Sequence, residues 1–185
     1  MPTRRKPALP DLYILHQRHP GLYRPLNEAY ADAAALCFGE TQKPPTDLEI
    51  HYDRSTFLRE VSWREPTGEA RASWANPDDA TRDGAYCVGL AAVEAELGYV
   101  GLTRADRRTG ADFYVGAPGG DLEETLRLEV SGVRTGDLAS VQGRLRDKAE
   151  QARRGRSDRP AMACVVGFAA RVVAVTWVEE EDAES

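Results

Sequence analysis

The sequence predicts an α/β (α+β) fold in which a mixed central sheet is flanked by helices. Apolar residues recur at helical spacing from about 79 to 97 and again from about 138 to 154. The first of these helices follows a start signal at Asn76-Pro77, and its inward face carries Tyr86, Leu90, Val93 and Leu97. The run 162–169 is continuously small and apolar, which is typical of a strand buried on both faces. From residue 79 onward, the predicted order is helix, three strands, helix and two strands.

Composition is that of an ordinary globular domain. The chain has 185 residues, of which 42% are hydrophobic and 29% charged. It contains no apolar run near the roughly 20 residues that cross a bilayer, and its first ten residues lack an apolar signal region. We therefore expect a cytoplasmic protein without a membrane partner.

The formal charge of −6 disfavours a nucleic-acid binder that relies on overall charge alone. Basic residues nevertheless cluster on both sides of the stretch 109–132, so a local basic surface and an ordinary solvated helix face are both open interpretations. These residues are Arg104, Arg107, Arg108, Arg144, Arg146, Lys148, Arg153, Arg154, Arg156 and Arg159.

Cysteines and histidines do not form a metal-binding pattern. The three cysteines are far apart and odd in number, which predicts buried apolar side chains rather than disulfides. The three histidines all lie in the first third of the chain, without the spacing of zinc ligands. A zinc site is not expected.

The first 78 residues predict an N-terminal extension packed on a core formed by residues 79–178, with an acidic tail at 179–185. The extension begins with an irregular arm over 1–24. Its further predicted elements are a helix from Pro25 to about Phe38, a strand at 48–53, and two strands at 57–63 and 69–74 joined by a Pro-Thr-Gly turn. In that hairpin, Trp63 and Trp74 face each other.

Two carboxylates stand out inside strand-like segments, Asp112 in TGADFYVG and Glu129 in LRLEVSG. If the two strands pair as neighbours, alternation brings both side chains to one polar spot. Carboxylates held together repel each other, and a hard divalent cation relieves the repulsion. The same pattern also fits the solvated face of a half-exposed hairpin, and the spacing does not choose between the two.

Lys148 falls at the edge of the apolar stripe of the second long helix. A lysine there either extends its ammonium to solvent or meets a carboxylate, because an unpaired buried ammonium is costly. Asp112 and Glu129 are the carboxylates on the neighbouring strands. Glu94 lies at the margin of the apolar face of the first long helix, where most glutamates are simply solvated.

Residues 79–178 resemble the core of the PD-(D/E)XK nuclease superfamily, whose restriction-endonuclease-like fold has the order αβββαβ. That family carries an Asp on its second strand and E-x-K on its third. Asp112 matches the first, and Glu129-Val130-Ser131 matches the second with serine in place of lysine. Some members carry the lysine on the following helix instead, and Lys148 is similar to that arrangement.

The resemblance implies a Mg²⁺- or Mn²⁺-dependent nuclease that cleaves phosphodiester bonds, with DNA as the expected substrate, in DNA processing or defence. Asp112, Glu129 and Glu94 would hold the metal, and Lys148 would act in catalysis, with Ser131 at the usual lysine position. Nucleic-acid contacts would come from Arg104, Arg107, Arg108 and Arg144. The alternative is a catalytically inactive subunit of the same fold. Residues 1–78 lie outside the resemblance, and three interpretations of them stay open: a cover for the core, a surface for a homodimer, or a surface for a protein partner.

Overall fold

A computed structural model describes residues 6–106, 109, 111–155 and 157–178. Its helices are α1 (Arg24–Gly39), α2 (Gly68–Ser73), α3 (Pro77–Leu97) and α4 (Leu138–Arg153). Its strands are β1 (Thr46–Tyr52), β2 (Ser55–Val61), β3 (Val100–Arg104), β4 (Phe113–Gly116), β5 (Leu126–Val133), β6 (Ala161–Gly167) and β7 (Val172–Val178). Short 3-10 helices span Leu12–Gln17 and Leu122–Glu124.

The strands form one seven-stranded sheet in the order β2-β1-β7-β6-β5-β4-β3. The pairs β1–β7 and β5–β6 are parallel, and the other neighbours are antiparallel. The predicted mixed sheet with flanking helices is therefore confirmed. The hairpin β1–β2, which comes from the predicted N-terminal extension, belongs to the same sheet because β1 pairs with β7.

The helices α3 and α4 cover opposite faces of the sheet. On one face, Gly89 of α3 lies against Cys164 of β6. On the other face, Val141 of α4 packs with Val165, the next residue of β6. Successive residues of a strand point to opposite faces, so β6 is covered on both sides. All of its residues are buried, as the continuous apolar run predicted.

The helix α3 sits close to β5 because of a glycine. A Cβ on Gly132 of β5 would lie 2.5 Å from the carbonyl oxygen of Thr81. The helix begins where its sequence predicts, because the Asn76 side chain accepts from the Asp78 N–H at 2.9 Å. It ends at Gly98, which adopts a left-handed φ of 68°. The close approach at Gly132 places the first turns of α3 beside the C-terminal end of β5.

The prediction of a strand at 69–74 was wrong, because this segment forms helix α2. The Thr67 side chain caps the helix by accepting from the Ala70 N–H at 3.1 Å. Alanine also favours helix over strand. Trp63 consequently does not face Trp74 across a hairpin and instead stacks on Phe38, with ring centroids 5.1 Å apart.

The N-terminal arm reaches both outer strands of the sheet. The Leu9 N–H donates to the Glu60 carbonyl of β2 at 2.8 Å, and the Gly21 N–H donates to the Gly101 carbonyl of β3 at 2.9 Å. Covering outer strands in this way protects them from pairing with other chains. The three cysteines are buried and unoxidised, as predicted. In the described part of the chain, no helix is both long and apolar enough to cross a membrane.

Candidate active site

Asp112 lies at the point where β4 and β5 separate. Its N–H donates to the Leu128 carbonyl at 2.9 Å, and the strand pairing ends at the next position, Phe113 with Leu128. Beyond this pair, the Val130 N–H donates to Asp112 Oδ2 at 2.8 Å. The Asp112 carboxylate thus takes the place of a backbone acceptor. It lies at the fork, which is the point where β4 and β5 diverge.

Glu129 points from β5 toward α4 and meets Lys148. The Lys148 ammonium donates to Glu129 Oε1 at 2.8 Å and to Gln151 Oε1 at 2.9 Å. The Glu129 side chain is 7% exposed and that of Lys148 is 19% exposed. Of the two alternatives that the sequence left open for Lys148, the structure shows pairing with a carboxylate.

Burial raises the pKa of Glu129 above the usual range of a glutamate, and the negative charge of Asp112 raises it further. The Lys148 ammonium opposes both effects but does not cancel them. The ionised form of Glu129 therefore carries a cost in free energy within the folded protein. A bound cation would lower that cost, so the pair is suited to take one.

The raised pKa of Glu129 predicts a pH-dependent effect of Glu129→Gln on stability. Because the folded-state pKa lies above the unfolded value, wild-type stability is lost as pH rises through it. Glutamine does not titrate, and its amide oxygen can still accept from the Lys148 ammonium. The melting temperature of Glu129→Gln minus that of wild type should therefore rise as the pH increases above about 4, where an unfolded glutamate begins to ionise.

Glu69→Gln, which changes an exposed glutamate of α2, is the control for the loss of a carboxylate. A rise for Glu129→Gln that does not exceed that of Glu69→Gln would contradict the raised pKa.

The fork opens into a surface pocket of about 370 Å³ between α3, β5 and α4. Ser131 lines it on the same strand as Glu129. Arg144 lines it one helical turn before Lys148, and Arg82 lines it from α3. The pocket thus combines three carboxylates with an ammonium and two guanidinium groups, which belong to Asp78, Asp112, Glu129, Lys148, Arg82 and Arg144.

Tyr86 is a residue of this pocket that sequence reasoning assigned only to the core. Its hydroxyl donates to Asp112 Oδ1 at 2.8 Å. The apolar spacing on α3 correctly predicted that Tyr86 faces inward. The feature of the sequence that indicated a further role is the Tyr86 hydroxyl, because the hydroxyl of a buried tyrosine usually finds a hydrogen-bond partner.

The structure does not bring Glu94 to this cluster, contrary to its predicted place among the metal ligands. Its carboxylate is paired with Arg18 and His19 of the N-terminal arm. The physical reason is distance along α3, because Glu94 follows Tyr86 by eight residues, or about 12 Å of helix.

Of the predicted nucleic-acid contacts, Arg144 is exposed at the pocket. The Arg104 guanidinium lies over the rings of Tyr86 and Phe113, at 4.7 and 4.5 Å from their centroids. Tyr86 lines the pocket, whereas Arg104 is not one of its lining residues. Arg107 and Arg108 lie outside the described residues.

The donor set fits Mg²⁺ or Mn²⁺ better than a softer metal. It consists of the oxygens of Asp112 and Glu129, and no group of three or more His, Cys, Asp or Glu suited to a metal occurs among the described residues. Mg²⁺ commonly takes one or two carboxylates, several waters and substrate phosphate oxygens. A site of two carboxylates open to solvent meets that requirement.

No family model matches the chain, and neither a curated protein nor a solved structure shows significant similarity to it. Function is therefore inferred from the chain's own residues.

Proposed function

We propose that the protein is a metal-dependent nuclease that hydrolyses phosphodiester bonds, with DNA as the expected substrate. The observation that carries the proposal is the contact of 2.8 Å between Lys148 Nζ and Glu129 Oε1 beside Asp112, in an open pocket. Two carboxylates and a lysine at one solvent-facing point are the groups that metal-assisted phosphate hydrolysis uses.

The order of elements supports the same proposal. The sequence α3, β3, β4, β5, α4 and β6 agrees with the order expected from the PD-(D/E)XK resemblance. Glu129 lies on β5, as that resemblance requires, whereas Asp112 lies one residue before β4 and not on the strand itself. The helix α4 carries Lys148 to Glu129, which supports its role as a replacement for the lysine missing at Ser131.

Each group has a role that follows from its position. Bound Mg²⁺ would supply a Lewis acid for the scissile phosphate and would lower the pKa of a water ligand. Asp112 and Glu129 would hold the ion. Lys148 uses two N–H groups on Glu129 and Gln151, and its third can orient a water or neutralise a phosphate oxygen.

Arg82 lines the pocket, but its guanidinium is paired with Asp79 and Asp83. Arg144, which is exposed at the pocket, would contact the nucleic-acid backbone. Such contacts position the substrate but carry little sequence information, and the affinity that they give falls as salt concentration rises.

One observation favours the second candidate, a catalytically inactive binding or assembly subunit. Both oxygens of Asp112 already accept hydrogen bonds, from Tyr86 and from the Val130 N–H. The Lys148 ammonium likewise already donates a hydrogen bond to Glu129. The cluster is thus satisfied without a ligand, as a purely structural network would be. Each carboxylate oxygen has a second lone pair, however, so the same network also leaves room for a cation.

Incubating the purified full chain with single- and double-stranded DNA and RNA distinguishes a nuclease from an inactive assembly subunit. A nuclease should cleave with Mg²⁺ or Mn²⁺ and not with EDTA, and the metal should raise its melting temperature. At a metal concentration 100 times the dissociation constant, metal binding raises the free energy of unfolding by about 2.7 kcal/mol. Absence of both cleavage and metal-induced stabilisation would favour the assembly subunit.

A further inference from the structure

Asp112 is held by two donors that come from different parts of the fold. Its Oδ2 accepts from the Val130 N–H of β5, and its Oδ1 accepts from the Tyr86 hydroxyl of α3, both at 2.8 Å. With both oxygens engaged, the carboxylate plane has one preferred orientation. The backbone donor would remain after any substitution of a nearby side chain, whereas the second donor depends on Tyr86 alone.

The Tyr86 ring is itself firmly placed. The residue is 6% exposed, and its ring packs against Phe113 at 5.4 Å and Tyr30 at 5.5 Å between centroids. The Arg104 guanidinium lies over the ring at 4.7 Å. A phenol hydroxyl on so constrained a ring has little freedom to lose when it forms a hydrogen bond, so it orients its acceptor effectively.

We propose that Tyr86 is a positioning residue for the divalent cation, acting through Asp112. The inference rests on the proposed metal site and adds a residue from α3, whereas the ligands lie on or next to β4 and β5. Without the hydroxyl, Asp112 keeps the hydrogen bond from the Val130 N–H but loses the one on Oδ1, so its carboxylate rotates more freely. Groups that orient a metal ligand in this way typically contribute 10- to 100-fold to metal affinity.

The test compares Tyr86→Phe with Tyr30→Phe, using Mn²⁺ alone as the probe. Each variant loses one phenol hydroxyl from the same aromatic cluster and keeps its ring. In the described part of the chain, no hydrogen bond joins Tyr30 to Asp112, so Tyr30→Phe controls for the loss of a hydroxyl. The electron paramagnetic resonance signal of free Mn²⁺ gives the dissociation constant, and thermal unfolding verifies that each sample is folded.

We expect Tyr86→Phe to bind Mn²⁺ about 10- to 100-fold more weakly than wild type, and Tyr30→Phe to bind it equally well. Equal affinity of Tyr86→Phe and wild type would overturn the positioning role while leaving the metal site intact. Equal weakening in both variants would also overturn it, since the effect would then arise from packing. If wild type itself does not bind Mn²⁺, the proposed function fails first.

Discussion

Replacing Asp112 with asparagine should lower Mg²⁺-dependent cleavage by about 10³-fold and remove the metal-induced rise in melting temperature. The substitution takes one of two negative charges from the expected ligands. The asparagine side chain has the same shape as aspartate. Its amide oxygen can still accept from the Val130 N–H, which lies 2.8 Å from Asp112 Oδ2. The variant should therefore fold, so that loss of activity reports on the site.

Asp147→Asn is the matched control for this change. Asp147 is an exposed carboxylate on α4, one residue before Lys148, and its substitution alters the net charge by the same amount. We expect wild-type cleavage and metal response from this variant. If Asp112→Asn also behaves as wild type, Asp112 has no role in catalysis.

Replacing Lys148 with methionine should lower cleavage by about 10²- to 10³-fold without loss of metal binding. Removing an ammonium beside the expected cation site removes a like charge, so Mn²⁺ affinity should be unchanged or increased. The free energy of unfolding should fall by about 1–3 kcal/mol, because Glu129 loses its cationic partner. The raised pKa of Glu129 limits that loss, since the carboxyl can take up a proton instead.

Lys148→Met thus separates chemistry from metal binding, which Asp112→Asn does not. Arg146→Met is its control, because it removes a positive charge from an exposed position two residues earlier on α4. Wild-type cleavage by Lys148→Met would contradict a catalytic role. Loss of the metal response in this variant, as expected for Asp112→Asn, would instead assign Lys148 a purely structural role in the site.

Much of the central arrangement followed from periodicity. Alternation along two neighbouring strands predicted that Asp112 and Glu129 converge, and both line the same pocket. The angular position of Lys148 on its helix predicted a side chain near the sheet, and its ammonium reaches Glu129. Both predictions depend only on local geometry and on strands that are adjacent in sequence, which is where periodic patterns are informative.

Contacts between distant segments were not predictable in the same way. Glu94 lies at the margin of its helix face, but its partners, Arg18 and His19, come from an arm about 75 residues away that has no periodic pattern. Tyr86 was correctly assigned to an inward face, yet spacing does not report what its hydroxyl meets. In the segment 69–74, an alternating pattern predicted a strand, but the side-chain cap at Thr67 favours the helix that the structure shows.

The most direct test of the central claim is anomalous diffraction from a crystal of the full chain grown or soaked with Mn²⁺. The account predicts an anomalous peak between the carboxylates of Asp112 and Glu129, with oxygen–metal distances near 2.1–2.2 Å and the Lys148 ammonium within hydrogen-bond reach of the ion's ligands. A fully occupied Mn²⁺ site elsewhere on the chain would contradict the account. So would the absence of Mn²⁺ between Asp112 and Glu129 at concentrations that support cleavage.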